Sequence, residues 1–224
     1  NLAEAASRLG RHEYAATHYR WVAKASSKIQ AHEKLGNEAE LKSITARFNI
    51  LDQKGHVPKE LKIGQIRKAD IRELTADTSE WIGWVDQARK NKVPPTDQTF
   101  RASIEHFEFE ANRILYSTGY IEKAIERTLS AIRLNPSNAA ALQGISLVLD
   151  TYVANEMWHE ARTLAGEFAH AYATKNAGFA KQLREVAADT LFKIAETHYR
   201  NREYEKSSEK VAEYFKSIEK LTFK

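Results

Sequence analysis

One short pattern occurs four times in this chain, and each time it would end one helix and begin the next. The four copies are Gly10–Ala15, Gly119–Ala124, Asn155–Ala161 and Arg202–Ser207. Each copy ends on a small residue, either alanine or serine. A helix–turn–helix cue that recurs along a chain indicates a solenoid of stacked helical repeats. Such arrays expose a long continuous surface and commonly use it to bind other proteins.

The apolar residues around the last three copies recur at the spacing of amphipathic helices and predict three helix pairs. The pairs lie at 107–132, 138–174 and 188–221. Pro136 disfavours helical geometry at Asn135, so the first pair should end there. Ser137 or Asn138 then caps the next helix. The last pair is expected to pack through Leu191, Ile194, Ala195 and His198 against Tyr204, Ser207, Val211, Tyr214 and Phe215.

These features resemble the tetratricopeptide repeat, a unit of about 34 residues with a turn glycine, a small residue in its second helix and a closing proline. Gly119, Ala124, Ala131 and Pro136 match these positions. The other matching residues are Trp158, Ala161 and Phe168 in 142–174, Tyr204 in 188–221, and Gly10, Ala15 and Tyr19 in a truncated first copy. The resemblance is clearest over 105–221 and weaker over 1–30. It implies an all-α fold, a right-handed α–α superhelix of about ten or eleven helices.

The chain departs from this repeat at several positions. Glu108 stands where the pattern has a large aromatic residue, and Asn155 and Arg202 replace the turn glycine. The small residues of the last three copies are 37 and 46 residues apart. The second spacer is therefore about a dozen residues longer than one repeat, and we place the extra residues near 170–181.

The region 30–104 carries no clear copy of the pattern. Its apolar spacing predicts helices over 38–51 and 78–92, and a third over 58–74 that is interrupted around Gly64. The first two copies of the turn pattern are separated widely enough for two degenerate repeats to lie between them, since their small residues are 109 residues apart.

The helix predicted over 78–92 has recognisable end signals. Asp77 or Thr78 is its expected cap. The pair Pro94 and Pro95 would end it, and Thr96 would begin the next helix. We divide the chain into residues 1–104, degenerate helical repeats that begin inside a truncated repeat, and residues 105–224, the C-terminal repeats, within one continuous solenoid.

The chain lacks the residue patterns of most catalytic sites. It has no cysteine, which excludes disulfides, cysteine-ligated zinc and thiol catalysis. Its nine glycines never cluster, so no P-loop or dinucleotide-binding loop is present. The pairs Glu156/His159 and Glu167/His170 have the spacing of metal ligands, but they lie on one predicted helix, too far apart to share an ion. We predict no catalytic residue, no metal site and no cofactor, and we interpret His198 as a core histidine.

Charge is spread evenly along the chain. The formal net charge is +4, and residues 1–112 and 113–224 each carry an excess of two basic side chains. The densest basic stretch, 54–72, also contains acidic residues, so we interpret it as a solvated helix face. We expect no nucleic-acid partner. No apolar run approaches the roughly 18 residues of a membrane span, so we expect no membrane insertion by this chain. Because it starts at Asn1 inside a repeat, we expect it to be a fragment of a longer protein.

The predicted partner-binding residues lie on the first helix of each pair, which lines the concave side of tetratricopeptide arrays. They are His106, Phe109, Arg113, Tyr116, Gln143, Asp150, Phe192, Glu196 and Tyr199. Two stripes of aromatic and charged side chains flank a polar one, a pattern suited to holding a peptide. The alternative interpretation is ordinary packing between repeats and solvated surface. Trp81 and Trp84 share one helix face, which we interpret as core, with an exposed binding ridge as the alternative.

The sequence therefore predicts a non-catalytic scaffold or adaptor that holds an extended or helical partner segment in a concave groove. One alternative is a peptide-sensing regulatory domain of a larger protein, and another is a helical metal-dependent enzyme. The stretch 188–215 is similar to tetratricopeptide proteins of bacterial cell envelopes. That similarity implies a periplasmic or membrane-associated location, with the cytoplasm as the alternative.

Overall fold

The structure, a computed structural model, describes residues 2–26, 33–68, 70–90, 98–137 and 140–222. Within these residues it contains ten α-helices and no strand, which confirms the predicted all-α class. The helices are α1 (Leu2–Arg8), α2 (His12–Ser26), α3 (Glu33–Gln53), α4 (Ala76–Lys90), α5 (Gln98–Ser117), α6 (Ile121–Leu134), α7 (Ala141–Ala154), α8 (Trp158–Ala171), α9 (Ala177–Arg200) and α10 (Tyr204–Thr222).

The helices form two compact units. Unit 1 comprises Asn1–Gly64 and Lys68–Gly144, and unit 2 comprises Gln65–Arg67 and Ile145–Lys224. This division follows contacts in space, whereas the sequence-based division after residue 104 follows the repeat pattern.

The four recurring turns share one backbone geometry. The residue five positions before the small residue has a positive φ in every copy: 69° at Gly10, 92° at Gly119, 58° at Glu156 and 63° at Arg202. In all four, the following amide N–H donates to the carbonyl five residues before it, at 2.9 or 3.0 Å. In this Schellman arrangement a left-handed residue ends the helix and its last carbonyls are satisfied. The recurring sequence pattern therefore corresponds to a recurring local structure.

The turn of the third copy lies at Glu156 and not at Asn155, so the predicted position is wrong by one residue. Asn155 keeps a negative φ, and its side-chain N–H donates to the Thr151 carbonyl at 2.8 Å. The left-handed conformation is unfavourable for residues other than glycine. Glu156 and Arg202 adopt it because the same hydrogen bonds close both turns.

The small residue of each copy is buried, as its size requires. Ala15, Ala124 and Ala161 are 0%, 2% and 0% exposed, and Ser207 is 8% exposed. The Ser207 hydroxyl donates to the Ala195 carbonyl of α9 at 2.9 Å. Serine can therefore replace alanine in the fourth copy because its hydroxyl finds a partner across the hairpin.

The segment between α3 and α4 is not α-helical, so the helix predicted over 58–74 is wrong. The described residues there contain only a 3₁₀ turn at Ile66–Lys68. No described residue in 52–77 is buried. An amphipathic helix is stabilised mainly by packing of its apolar face, and this segment has no covered face. Two repeats between α2 and α5 would contain four helices. The described residues there form only two α-helices, α3 and α4.

The start of α4 is capped by Thr75, and not by the predicted Asp77 or Thr78. The Thr75 hydroxyl oxygen accepts the Thr78 N–H at 3.2 Å. Asp77 instead accepts hydrogen bonds from Arg47 at 3.0 Å and Lys54 at 2.7 Å. The predicted signals at Pro94, Pro95, Thr96 and Asn138 lie outside the described residues.

The core of unit 1 contains Trp81, which confirms its interpretation as a core residue. Its side chain is 0% exposed, and its indole N–H donates to the Ile44 carbonyl at 3.0 Å. The rings of Phe48 and Phe107 lie 5.3 and 6.1 Å from it, centroid to centroid. Trp84 is half-buried, so the two tryptophans of this helix face differ in exposure.

In unit 2, the extra residues after α8 lengthen α9, which begins well before the repeat predicted over 188–221. The Asn176 side-chain oxygen caps this helix by accepting the Phe179 N–H at 3.0 Å. Ala180 and Leu183 are 0% and 2% exposed, so the extension has a covered apolar face. That face explains why the insertion is helical.

Candidate protein-binding surfaces

The predicted partner-binding residues are divided between the two units. In unit 1 they are His106, Phe109, Arg113 and Tyr116 on α5 and Gln143 on α7; in unit 2 they are Asp150 on α7 and Phe192, Glu196 and Tyr199 on α9. The environments of these side chains differ from one residue to the next.

His106 lies in a groove of unit 1 between α3 and α5. The groove has a volume of about 610 Å³. Its other lining residues are Leu41, Thr45, Gln98, Thr99, Ala102, Ser103 and Phe107. His106 is exposed and Phe109 is half-buried. The groove combines an imidazole with hydroxyl and aliphatic groups, so it can accept polar or apolar contacts.

Arg113 and Tyr116 contact the chain itself. One guanidinium nitrogen of Arg113 pairs with Glu110 at 2.9 Å, and the other donates to the Pro58 carbonyl at 2.8 Å. The Tyr116 hydroxyl accepts the Gly64 N–H at 2.9 Å, and the residue is only 4% exposed. These two side chains of α5 therefore hold the segment that precedes α4, which is not α-helical in the residues described.

The polar residues predicted on α7 are exposed. Gln143, in unit 1, has an exposed side chain, as does Asp150 in unit 2. The protein nevertheless removes enough water around the Asp150 carboxyl group to raise its pKa. Among the residues that the structure describes, desolvation is the cause of that rise, because removing water disfavours the charged carboxylate.

Unit 2 exposes several large aromatic residues on one helical hairpin. Phe192, Tyr199, Tyr204 and Phe215 are 43%, 64%, 58% and 59% exposed. The ring centroids of Tyr199 and Tyr204 are 5.4 Å apart, so the pair spans the turn between α9 and α10. Phe192 and Tyr214 are paired across the same two helices at 5.6 Å. We call these five residues the α9–α10 aromatic surface.

Sequence reasoning found only part of this surface. Phe192 and Tyr199 were predicted, but Tyr204 and Phe215 were assigned to the core stripe of α10 and are exposed instead. Residues eleven positions apart on a helix lie on the same face. Tyr204 and Phe215 have this spacing on α10, so the sequence indicates that both side chains lie together on one face of the helix. Buried Ser207 lies on the inward face.

Charged pairs border the aromatic surface. Lys193 donates to Glu196 at 2.8 Å, and this hydrogen bond lowers the pKa of the Glu196 carboxyl group. His198 contacts Glu203 at 2.5 Å and, ahead of Lys206, lowers the pKa of that carboxyl group. His198 is half-buried, so its interpretation as a core histidine is wrong. It lies in the last turn of α9, where its ring reaches the carboxylate beyond the turn.

A buried ion pair explains the unusual residue at position 108. Glu108 is 5% exposed, and its carboxylate lies 2.5 Å from the Arg89 guanidinium. Burial raises the pKa of the Glu108 carboxyl group, although Arg89 and Arg127 act in the opposite direction. Arg127 is held by both carboxylate oxygens of Asp86, at 2.7 and 3.0 Å. Charged residues therefore occupy the space that the repeat pattern gives to an aromatic ring.

The described residues contain no group of three or more His, Asp or Glu side chains arranged to hold a metal ion. The predicted pairs Glu156/His159 and Glu167/His170 have exposed side chains. Among the helices of the described chain, none has the length and apolarity to span a bilayer.

Comparison of the chain with protein-family models, with curated proteins and with solved structures finds no match.

Proposed function

We propose that this chain is a non-catalytic helical-repeat scaffold that binds a segment of a partner protein, and that the α9–α10 aromatic surface is a main contact. The observation that supports this proposal is the exposure of four large aromatic residues on one hairpin, Phe192, Tyr199, Tyr204 and Phe215. Tyrosine and other aromatic residues are enriched where proteins bind other proteins. A cluster of exposed aromatic rings is a typical mark of such a site.

The rings are held in position before any partner arrives. α9 is anchored through the buried residues Leu191, Ile194 and Ala195, which are each 2% exposed. The ring pairs between α9 and α10 restrict the orientation of the aromatic side chains further. A partner would therefore immobilise few additional rotamers, which reduces the entropic cost of binding. The Lys193–Glu196 pair at its edge offers polar contacts that orient the partner.

The repeated turns support a wider binding surface. We propose that the hairpins stack as in tetratricopeptide arrays, in a right-handed superhelix whose first helices line the concave side. The shared φ values and hydrogen bonds of the four turns support this arrangement, because similar hairpins stack in a regular way. His106, Phe109 and Gln143 of unit 1 are then further candidate contacts, and so is Asp150 of unit 2.

Selection from a display library of random 16-residue peptides, followed by fluorescence anisotropy with the enriched peptides, tests the proposal. We expect the double variant Phe192→Ala, Tyr199→Ala to weaken Kd by about tenfold or more, because both rings would be contact residues. Trp21→Ala is the matched control, since Trp21 is 71% exposed on α2 of unit 1. The proposal is wrong if no peptide is enriched, or if the double variant binds the enriched peptides as tightly as the wild type.

A further inference from the structure

We propose that the face of α5 and α6 that carries Arg113, Tyr116 and Ile121 is a second site for a polypeptide segment, and that the chain's own residues occupy it as an internal ligand. We call residues 57–64 and 70–75 the strap. This inference rests on the proposed function, since it assumes that the chain binds partner segments. A partner of the same chemistry would displace the strap and bind in its place.

The first support is the way in which α5 holds the strap. Arg113 donates to the carbonyls of Pro58 and Lys59 at 2.8 and 3.5 Å. The Tyr116 hydroxyl accepts the Gly64 N–H at 2.9 Å. Both side chains therefore make hydrogen bonds to the backbone of the strap. Main-chain hydrogen bonds to an extended segment are a general mode of peptide recognition, because every sequence offers them.

The second end of the strap is held in the same manner. The Arg72 N–H donates to the Thr118 carbonyl at 2.9 Å, and the Arg72 guanidinium donates to the Ser117 carbonyl. Both acceptors lie at the C-terminal end of α5, next to the turn that leads to α6. These two hydrogen bonds hold the strap against the end of the helix.

The third support is an asymmetry in burial between the strap and the face beneath it. No described residue of the strap is buried, and Ile63 and Ile71 are 41% and 60% exposed. Beneath it, Tyr116 and Ile121 are only 4% and 5% exposed. Segments with few buried apolar contacts open at low free-energy cost. Opening the strap would uncover an arginine, a tyrosine and an isoleucine together, which are suitable groups for a peptide site.

Two glycines set the register of the strap and indicate what a partner must look like. A Cβ atom on Gly64 would overlap the Ile121 side chain, and one on Gly119 would overlap the Asp70 carbonyl and lie 2.9 Å from the Ile71 Cα. The face therefore favours a segment with a glycine next to Ile121. The carbonyl that Arg113 binds lies six residues before that glycine, as in Pro58–Gly64.

The test uses a fluorescein-labelled peptide with the sequence of residues 56–66 and three forms of the full chain. In Arg72→Pro both hydrogen bonds of Arg72 are lost, so the strap is loosened. In the pair Arg72→Cys, Thr118→Cys, oxidation closes the strap in a chain that has no other cysteine. We expect the loosened form to bind the peptide about tenfold more tightly than wild type, and the oxidised form to bind it at least about tenfold more weakly. Reduction of the disulfide should restore the wild-type affinity.

The controls separate the site from general effects on folding. A peptide with Gly64→Val should bind the loosened form more weakly than the unchanged peptide, because the Ile121 side chain would have to shift to admit it. Adding Arg113→Ala should abolish the gain of the loosened form, and Glu73→Ala, an exposed strap position, should behave as wild type. Hydrogen exchange of the backbone amides measures opening of the strap directly in the wild-type chain. The Gly64 and Arg72 amides should exchange at least about tenfold faster than the amides of central α5.

The inference is overturned if the loosened, wild-type and closed forms bind the peptide equally, or if the strap amides are as protected as those of α5. Peptides selected on the α9–α10 aromatic surface distinguish this outcome from failure of the proposed function. Their affinity should not respond to opening or closing of the strap. If they bind but the strap peptide does not, only the internal ligand is disproved.

Discussion

The strap and the first turns of α9 are both stretches that a simple helix–turn–helix repeat does not need. The first turns of α9 are helical, whereas the strap is not. The α9 extension is helical, is capped by Asn176, and buries Ala180 and Leu183 almost completely. The described residues of the strap form no α-helix, and none of them is buried. Both stretches contain apolar residues at helical intervals. The comparison teaches that such spacing produces a helix only where another element covers the apolar face.

Truncating one apolar side chain in each region gives the largest contrast. We expect Leu183→Ala to lower the free energy of unfolding by about 2–5 kcal/mol, because it creates a cavity beside a fully packed helix. Ile71→Ala in the strap should cost no more than about 0.5 kcal/mol, since its side chain is already largely in water. Urea unfolding followed by circular dichroism measures both. Equal losses would show that the strap contributes as much packing as α9.

The second contrast is between two turn glycines with positive φ, of which Gly119 lies against the strap backbone and Gly10 has open space beside it. Gly119→Ala places a methyl group against the strap backbone as well as in a left-handed conformation, whereas a Cβ on Gly10 has no heavy atom within 4 Å. We expect Gly119→Ala to cost about 2 kcal/mol and Gly10→Ala about 1 kcal/mol. Thermal unfolding of the two variants under one condition measures the difference. If Gly119→Ala costs no more than Gly10→Ala, the strap yields freely at this position.

The cap of α9 tests whether the extension depends on its own end signal. Asn176→Ala removes the acceptor of the Phe179 N–H, so we expect a loss of about 1 kcal/mol in the free energy of unfolding. Asn176→Asp retains an acceptor at the same position and should be close to wild type. An unaffected Asn176→Ala variant would mean that packing alone maintains the extension.

The smallest expected effects come from the turns that follow α3 and α9, which share one backbone conformation. Gly55 and Arg202 have φ values of 72° and 63°. Arg202→Gly should raise the free energy of unfolding by about 0.5 kcal/mol, because glycine adopts this conformation without steric cost. Gly55→Ala should lower it by about 1 kcal/mol. Chemical denaturation measures the free energy of unfolding of both variants. A loss of stability in Arg202→Gly would contradict the claim that the left-handed conformation is unfavourable for Arg202.

Much of the local structure could be predicted because its causes lie close together in sequence. The four helix–turn–helix patterns were visible, and each proved to be a left-handed turn followed by a buried small residue. Trp81 was correctly placed in the core. The error at Asn155 is instructive. Counting back from the buried Ala161, and not searching for a glycine substitute, identifies Glu156 as the turn residue.

The candidate surfaces were less predictable because exposure depends on neighbours that are distant in sequence. Tyr204 and Phe215 were read as core and are exposed, whereas Tyr116 was read as a groove residue and is covered by Gly64 of the strap. His198 was read as core and instead pairs with Glu203. Apolar or aromatic character alone does not determine which of two helix faces finds a partner.

The amino-acid sequence by itself determined that this chain is helical and where its hairpin turns lie, because turn conformation and apolar spacing are local properties. Only the tertiary structure decided which aromatic residues face water and which segment covers Tyr116 and Ile121. It also decided that one insertion extends α9 while the other crosses α5 without forming an α-helix. The physical reason is that the burial of a helix face depends on which other helix packs against it. That packing is fixed only in the folded chain.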